Sequence, residues 1–92
     1  MLTLTQNARV RLTEKLIDYP PNVAARIIRK EGRMKLRPGS KLPGDAVFEH
    51  NGRTVLLLDE EMSLRLGART LDVQNSADGP RLRFRRAKSH GA

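Results

Sequence analysis

The sequence predicts an α+β fold from three features: a hairpin signature between Gly44 and Glu61, a series of short segments with two-residue alternation, and one helical stripe near the N-terminus. The hairpin, GDAVFEHNGRTVLLLDEE, is the organising element. Ala46, Phe48 and His50 alternate with Val47 and Glu49 on the way in, and Thr54 to Leu58 is a β-branched and apolar run on the way out. Asn51-Gly52 lies between them, the dipeptide that most readily takes positive φ at both central positions of a type I′ turn. Val55 to Leu58 is apolar at every position, so this strand is expected to be covered on both faces and central in its sheet.

The remaining elements follow in order. Leu2 and Leu4 alternate with Thr3 and Thr5 as a short first strand, after which Thr5 or Asn7 can cap a helix reaching Asp18. Ala8, Leu12 and Leu16 form its buried stripe, while Val10 and Ile17 lie off the stripe and suggest broader cover. Pro20-Pro21 ends it. Val23 to Arg29 is expected as a strand with Val23, Ala25 and Ile27 on one face, and Gly32 marks a turn or bulge. Arg33 to Arg37 alternates strictly, placing Met34 and Leu36 inward and Arg33, Lys35 and Arg37 outward. Pro38-Gly39 and Pro43-Gly44 bracket a loop in which Asp45 can make a local side-chain bond.

Beyond the hairpin, Asp59-Glu60-Glu61 opens a short helix, Glu60 to Leu66, where carboxylates complement the helix dipole. Met62 and Leu66 are its core contacts with Leu64 as an alternative, and Gly67 suits the position after its end. Ala68 to Gln74 is a strand with Leu71 and Val73 inward, and Asn75 to Pro80 is a loop by composition. The last strand, Pro80 to Arg86, places Leu82 and Phe84 inward and Arg81, Arg83 and Arg85 outward. Residues 1–87 are expected as a single domain, with 88–92 as a disordered tail.

Ninety-two residues suffice for one core without a staple. The chain has no cysteine, which removes disulfides, thiolate metal sites and thiol nucleophiles together. It has no apolar run long enough to span a membrane and no signal-peptide pattern, so a cytoplasmic protein with no membrane partner is expected. The net charge of +8 is unevenly placed: +1 over residues 1–25, +6 over 26–44, −4 over 45–80 and +5 from 81 onward. Such a surface draws polyanions to some regions and repels them from others, or else its charges are the solvated outer faces of strands and serve solubility.

No catalytic constellation can be assembled, so the chain is not expected to be an enzyme, and no cofactor is expected. His50 and His90 lack a ligand spacing, the serines lack a nucleophile-elbow context, and no glycine-rich loop leads a strand into a helix. The Asp59-Glu60-Glu61 triplet reads as a helix-start cluster before it reads as a cation site.

The order of segments resembles the HesB/IscA-like domain of the A-type iron-sulfur cluster carriers. The similar pieces are the opening LTLTQNARVRL, the hairpin GDAVFEHNGRTVLLLDEE, the segment GARTLDV and the closing LRFRRA, together covering most of residues 2–87. The resemblance implies small mixed sheets curled around one core, with an N-terminal helix packed alongside and a short second helix. It also implies three cysteine ligands for a cluster, one in a Gly-Cys segment between the second and third strands and two in a Cys-Gly-Cys tail. Those regions here read Glu31-Gly32-Arg33-Met34 and Lys88-Ser89-His90-Gly91. The resemblance therefore implies the fold without the cluster ligands.

Three functions follow as expectations. The leading one is a HesB/IscA-like interaction domain, related to iron-sulfur cluster assembly, that binds no cluster and acts through protein or polyanion contacts. An alternative is a basic nucleic-acid-binding module, and a third is metal binding through His50, His90 and carboxylates. The candidate contact residues are Arg33, Lys35, Arg37, Arg81, Arg83 and Arg85.

Overall fold

A computed structural model describes residues 2–86, so the expectation for the tail from 88 to 92, with its His90, lies outside the described residues. The elements run β1 (Thr3–Leu4), α1 (Gln6–Lys15), β2 (Ala24–Lys30), β3 (Arg33–Gly39), β4 (Ala46–His50), β5 (Arg53–Leu58), α2 (Glu60–Arg65), β6 (Arg69–Ser76) and β7 (Gly79–Arg86). They form a three-stranded sheet in the order β1-β6-β7 and a four-stranded sheet in the order β3-β2-β5-β4. Both sheets are mixed: β1 runs parallel to β6 and β2 parallel to β5, while the β2-β3, β4-β5 and β6-β7 pairs are antiparallel hairpins. The α+β architecture is the expected one.

The central hairpin forms as its turn chemistry demands. Asn51 and Gly52 take φ values of +50° and +82°, the type I′ pattern, and β5 lies inside its sheet with Val55 to Leu58 all at 0% exposure. A bulge falls where Phe48 opposes Leu56 and Glu49 opposes Thr54, leaving Val55 as the extra residue. The bulge re-aims Val55, which joins Leu56 and Leu58 in the core cluster, while Leu57 lies outside that cluster. Leu57 is covered instead from the far face, where it lines one surface with Pro21, Asn22, Ser40 and Lys41. Glu31 and Gly32, at φ +53° and +78°, close the β2-β3 hairpin with the same turn type.

Thr5 caps α1: its hydroxyl accepts from the Ala8 N–H at 3.1 Å. Ala8, Leu12 and Leu16 are buried, and α1 packs against β4, β5 and β6. The helix stops at Lys15, short of the expected Asp18, and the chain tightens into i→i−3 turns, with Ile17 N–H donating to the Glu14 carbonyl and Tyr19 N–H to that of Leu16. Arg53 holds the turn that follows, donating to the carbonyls of Tyr19 (3.3 Å), Pro20 (3.1 Å) and Val23 (3.1 Å). Val10 and Ile17 are exposed, so the helix buries a single stripe and not the broader face expected.

Asp59 caps α2 through a 2.8 Å bond from the Met62 N–H, and Met62 and Leu66 are buried while Leu64 is exposed. Gly67 follows the Leu66 C-cap, the position expected for it. The expected loop from Asn75 to Pro80 is instead mostly ladder: Asn75 pairs with Pro80 and Ser76 with Gly79, leaving Ala77-Asp78 as the connection. Pro80 is tolerated because β7 is an edge strand, where a missing N–H need not leave a gap in the ladder.

Candidate contact surface

The six candidate basic residues occupy two edge strands, β3 and β7, in different sheets. They do not form one continuous sheet face, as neighbouring strands would have. In the β2-β3 ladder Lys30 opposes Arg33, Ile28 opposes Lys35 and Arg26 opposes Arg37. Cross-strand partners share a face, so Arg33, Lys35 and Arg37 stand with Arg26 and Lys30 on one side of the ribbon. Among the described residues, none of Lys30, Arg33, Lys35 and Arg37 enters an ion pair. The other side of the ribbon carries Met34 and Leu36, which the alternation placed in the core; they retain 38% and 36% exposure. Alternation assigns a side chain to a face, and on an edge strand that face has no covering layer.

On β7 the alternation holds at intermediate depth. Leu82 and Phe84 are half-buried and pack on the core cluster, and Arg81, Arg83 and Arg85 project outward. Arg85 pairs with Asp72 on β6 at 2.8 Å and Arg81 with Asp78 at 3.4 Å, both partly neutralised by their own hairpin. Arg83 enters no such pair among the described residues. Between the two edge strands lies an open cavity of about 330 Å³, whose lining includes Met34, Leu36, Leu82 and Phe84 together with Lys35 and Arg83.

Two carboxylates that the sequence did not single out for this purpose hold the strands in place. Asp72 accepts from the Thr5 hydroxyl (2.8 Å) and from the Val73 N–H (2.8 Å) while pairing with Arg85, tying the start of α1 to β6 and β7. The Thr5 bond, then the Val73 bond, with the Arg85 charge adding, lowers its carboxyl pKa from the ordinary range. Asp45 grips Arg26 of β2 and also accepts from the Leu42 N–H at 2.7 Å, the local bond foreseen for it. The hydrogen bond from Arg26, with help from Leu42, lowers its pKa against the opposing effect of burial. One sequence signal pointed to Arg26: it is the single charged residue inside an otherwise apolar stretch, VAARII.

The carboxylate triplet is used structurally. Asp59 is the α2 cap, and Glu61 pairs with Arg65 at 3.2 Å along the same helix. Among the described residues the His50 ring hydrogen-bonds to the neighbouring Asn51 amide, at 3.3 Å. No group of three metal-ligating side chains comes together among the described residues, so metal binding through His50 and carboxylates finds no assembled site there. At the β2-β3 connection, where the resemblance implies a Gly-Cys ligand, the chain presents a tight Glu31-Gly32 turn followed by exposed Arg33. A guanidinium is neither a soft anionic donor nor a neutral one, and the residues present do not fit an iron-sulfur cluster. Among the described residues no helix is long and apolar enough to cross a membrane.

No protein-family model matches the chain, and no curated protein matches it. Solved structures do. Escherichia coli SufA, a protein involved in the biosynthesis of iron-sulfur clusters, superimposes with a TM-score of 0.76 at 24% identity, covering 96% of this chain and 87% of SufA. The structure of IscA with the [2Fe-2S] cluster superimposes with a TM-score of 0.60 at 19% identity, covering 94% of this chain and 85% of IscA. The fold implied by the resemblance is thus the fold present: the chain shares the α+β architecture of the A-type carriers SufA and IscA while containing no cysteine.

Proposed function

We propose that this chain is a contact domain built on the carrier fold, one that engages a partner protein and carries no iron-sulfur cluster of its own. The observation that supports this is the replacement of ligand chemistry by cationic chemistry. The chain lacks every thiolate, and the turn that the resemblance links to a ligand leads directly into the Arg33, Lys35, Arg37 face of β3. The contact surface in this proposal is β3 and β7, with Arg33, Lys35, Arg37, Arg81, Arg83 and Arg85 as its charged residues.

A second reading, nucleic-acid binding, is favoured by one feature. Lys30, Arg33, Lys35 and Arg37 stand without ion pairs on one face of a two-stranded ribbon, an arrangement able to follow phosphates. Against it stands the shortage of stacking surfaces: Tyr19 lies by Leu36 and Pro38, away from the cationic face, Phe48 is buried and Phe84 is half-buried. A salt series separates the two. Binding to a partner protein through apolar and charged contacts should weaken modestly between about 50 and 200 mM salt, whereas phosphate binding through several cations should fall by orders of magnitude.

A further inference from the structure

The cavity between β3 and β7 has two neighbouring openings that share Leu36 with it. Ile27 and Leu71, both buried, contribute to its lining, and Met34, Leu36, Leu82 and Phe84 offer partly open apolar surface. Leu36 also lines a cavity of about 210 Å³ shared with Leu16, Tyr19 and Pro38, and another of about 400 Å³ shared with Pro80 and Leu82. All three openings have Leu36 of the edge strand β3 in their lining. Among the described residues β3 hydrogen-bonds to β2 alone, so there its outer edge keeps free backbone donors and acceptors.

Charge completes the description. Arg11, Lys15, Arg81 and Arg83 border these openings, with Arg11 paired to Glu14 and Arg81 to Asp78, while Lys35 and Arg37 border them from β3 with their side chains on its opposite face. A strand added along β3 would send alternate side chains to opposite faces. One set would enter the apolar cavity beside Met34 and Leu36. The other would lie beside Arg33, Lys35 and Arg37, where a carboxylate is the complementary group.

We propose that β3 and the cavity beside it receive an extended segment of a partner protein in which apolar residues alternate with Asp or Glu, added to the edge of the four-stranded sheet. This rests on the contact-domain reading and names the chemistry of the partner. A second copy of the chain fits poorly, because pairing β3 with itself would set Arg33, Lys35 and Arg37 against the same cations in a protein of net charge +8. A nucleic acid would meet the cationic face but leave the apolar cavity unused.

The test is selection of a displayed library of random short peptides on the full chain, followed by titration of an enriched peptide into wild type, Leu36→Glu and Lys35→Glu. Both substituted residues are exposed, so both variants should fold. The expected result is enrichment of alternating acidic and apolar sequences, saturable micromolar binding, methyl shifts at Met34, Leu36 and Leu82, and a loss of about tenfold or more in each variant. No enrichment, enrichment without the acidic alternation, or binding indifferent to both substitutions would overturn the proposal. So would displacement of the peptide by an oligonucleotide bound in about 0.15 M salt, or a dimer whose strength follows Leu36. The contact-domain reading fails separately, if the chain retains iron and sulfide after anaerobic reconstitution.

Discussion

Arg26 on β2 and Asp45 at the entry to β4 form a two-pronged ion pair at 2.5 and 3.1 Å, with 15% and 2% of their side chains exposed. The pair pins the Ser40 to Asp45 segment across the outer face of the four-stranded sheet, and Arg26 also donates to the Ser40 carbonyl at 3.1 Å. It is the least exposed ion pair among the described residues, and it covers the side of the sheet on which Leu57 lies.

Asp45→Ala leaves the Arg26 guanidinium unpaired and frees the Leu42 N–H, and should cost about 3 kcal/mol. Urea denaturation checks this, and a loss below about 1 kcal/mol would show that the pair is dispensable.

Acid should unfold the protein through the same groups. Asp45 and Asp72 both have folded pKa values lowered from the ordinary carboxylate range, by the Arg26 bond in one case and the Thr5 bond in the other. A lowered folded pKa means a contribution complete above the unfolded value, near 4, and lost as pH falls through the folded one. Melting temperature should therefore hold down to about pH 4 and drop below it, with a shallower drop in Asp45→Asn.

Thr5→Ala removes the α1 cap and the hydroxyl that donates to Asp72, and should cost about 1 to 2 kcal/mol. Thr5→Ser should restore most of it, since a serine hydroxyl can make both bonds.

Gly52→Val should cost on the order of 1 kcal/mol or more, because Gly52 sits at φ +82° and a β-branched residue is strained there. A Cβ at this position meets no atom within 4 Å, so the loss would report backbone conformation and not a clash. An unchanged melting temperature would contradict the turn assignment.

What was legible in the sequence and what was not divide along local and non-local physics. Asn51-Gly52, the stripe of Ala8, Leu12 and Leu16, and the Thr5 cap depend on residues within a few positions of one another, and each formed as expected. The Asn75 to Pro80 loop misled because its composition favours a turn, while pairing across to β7 decided the matter. Met34 and Leu36 alternate as core residues do, but their depth depends on whether a layer covers β3, and no local pattern carries that information. The same limit applied to the candidate surface. Alternation identified all six outward basic residues, yet not that they divide between two sheets, nor that Arg85 and Arg81 are partly neutralised by Asp72 and Asp78. The Arg26–Asp45 pair lies beyond such reasoning, although the Asp45 bond to Leu42 does not.

Anaerobic reconstitution with ferrous iron and sulfide, run beside Escherichia coli SufA, decides whether this chain, which shares the SufA fold, can hold a cluster without cysteine. After desalting, the chain should be colourless, with iron and sulfide at background and its melting temperature unchanged, because it has no thiolate to hold them. Stoichiometric iron and sulfide with a stable visible absorption band would refute the proposed contact-domain function and require ligands other than cysteine.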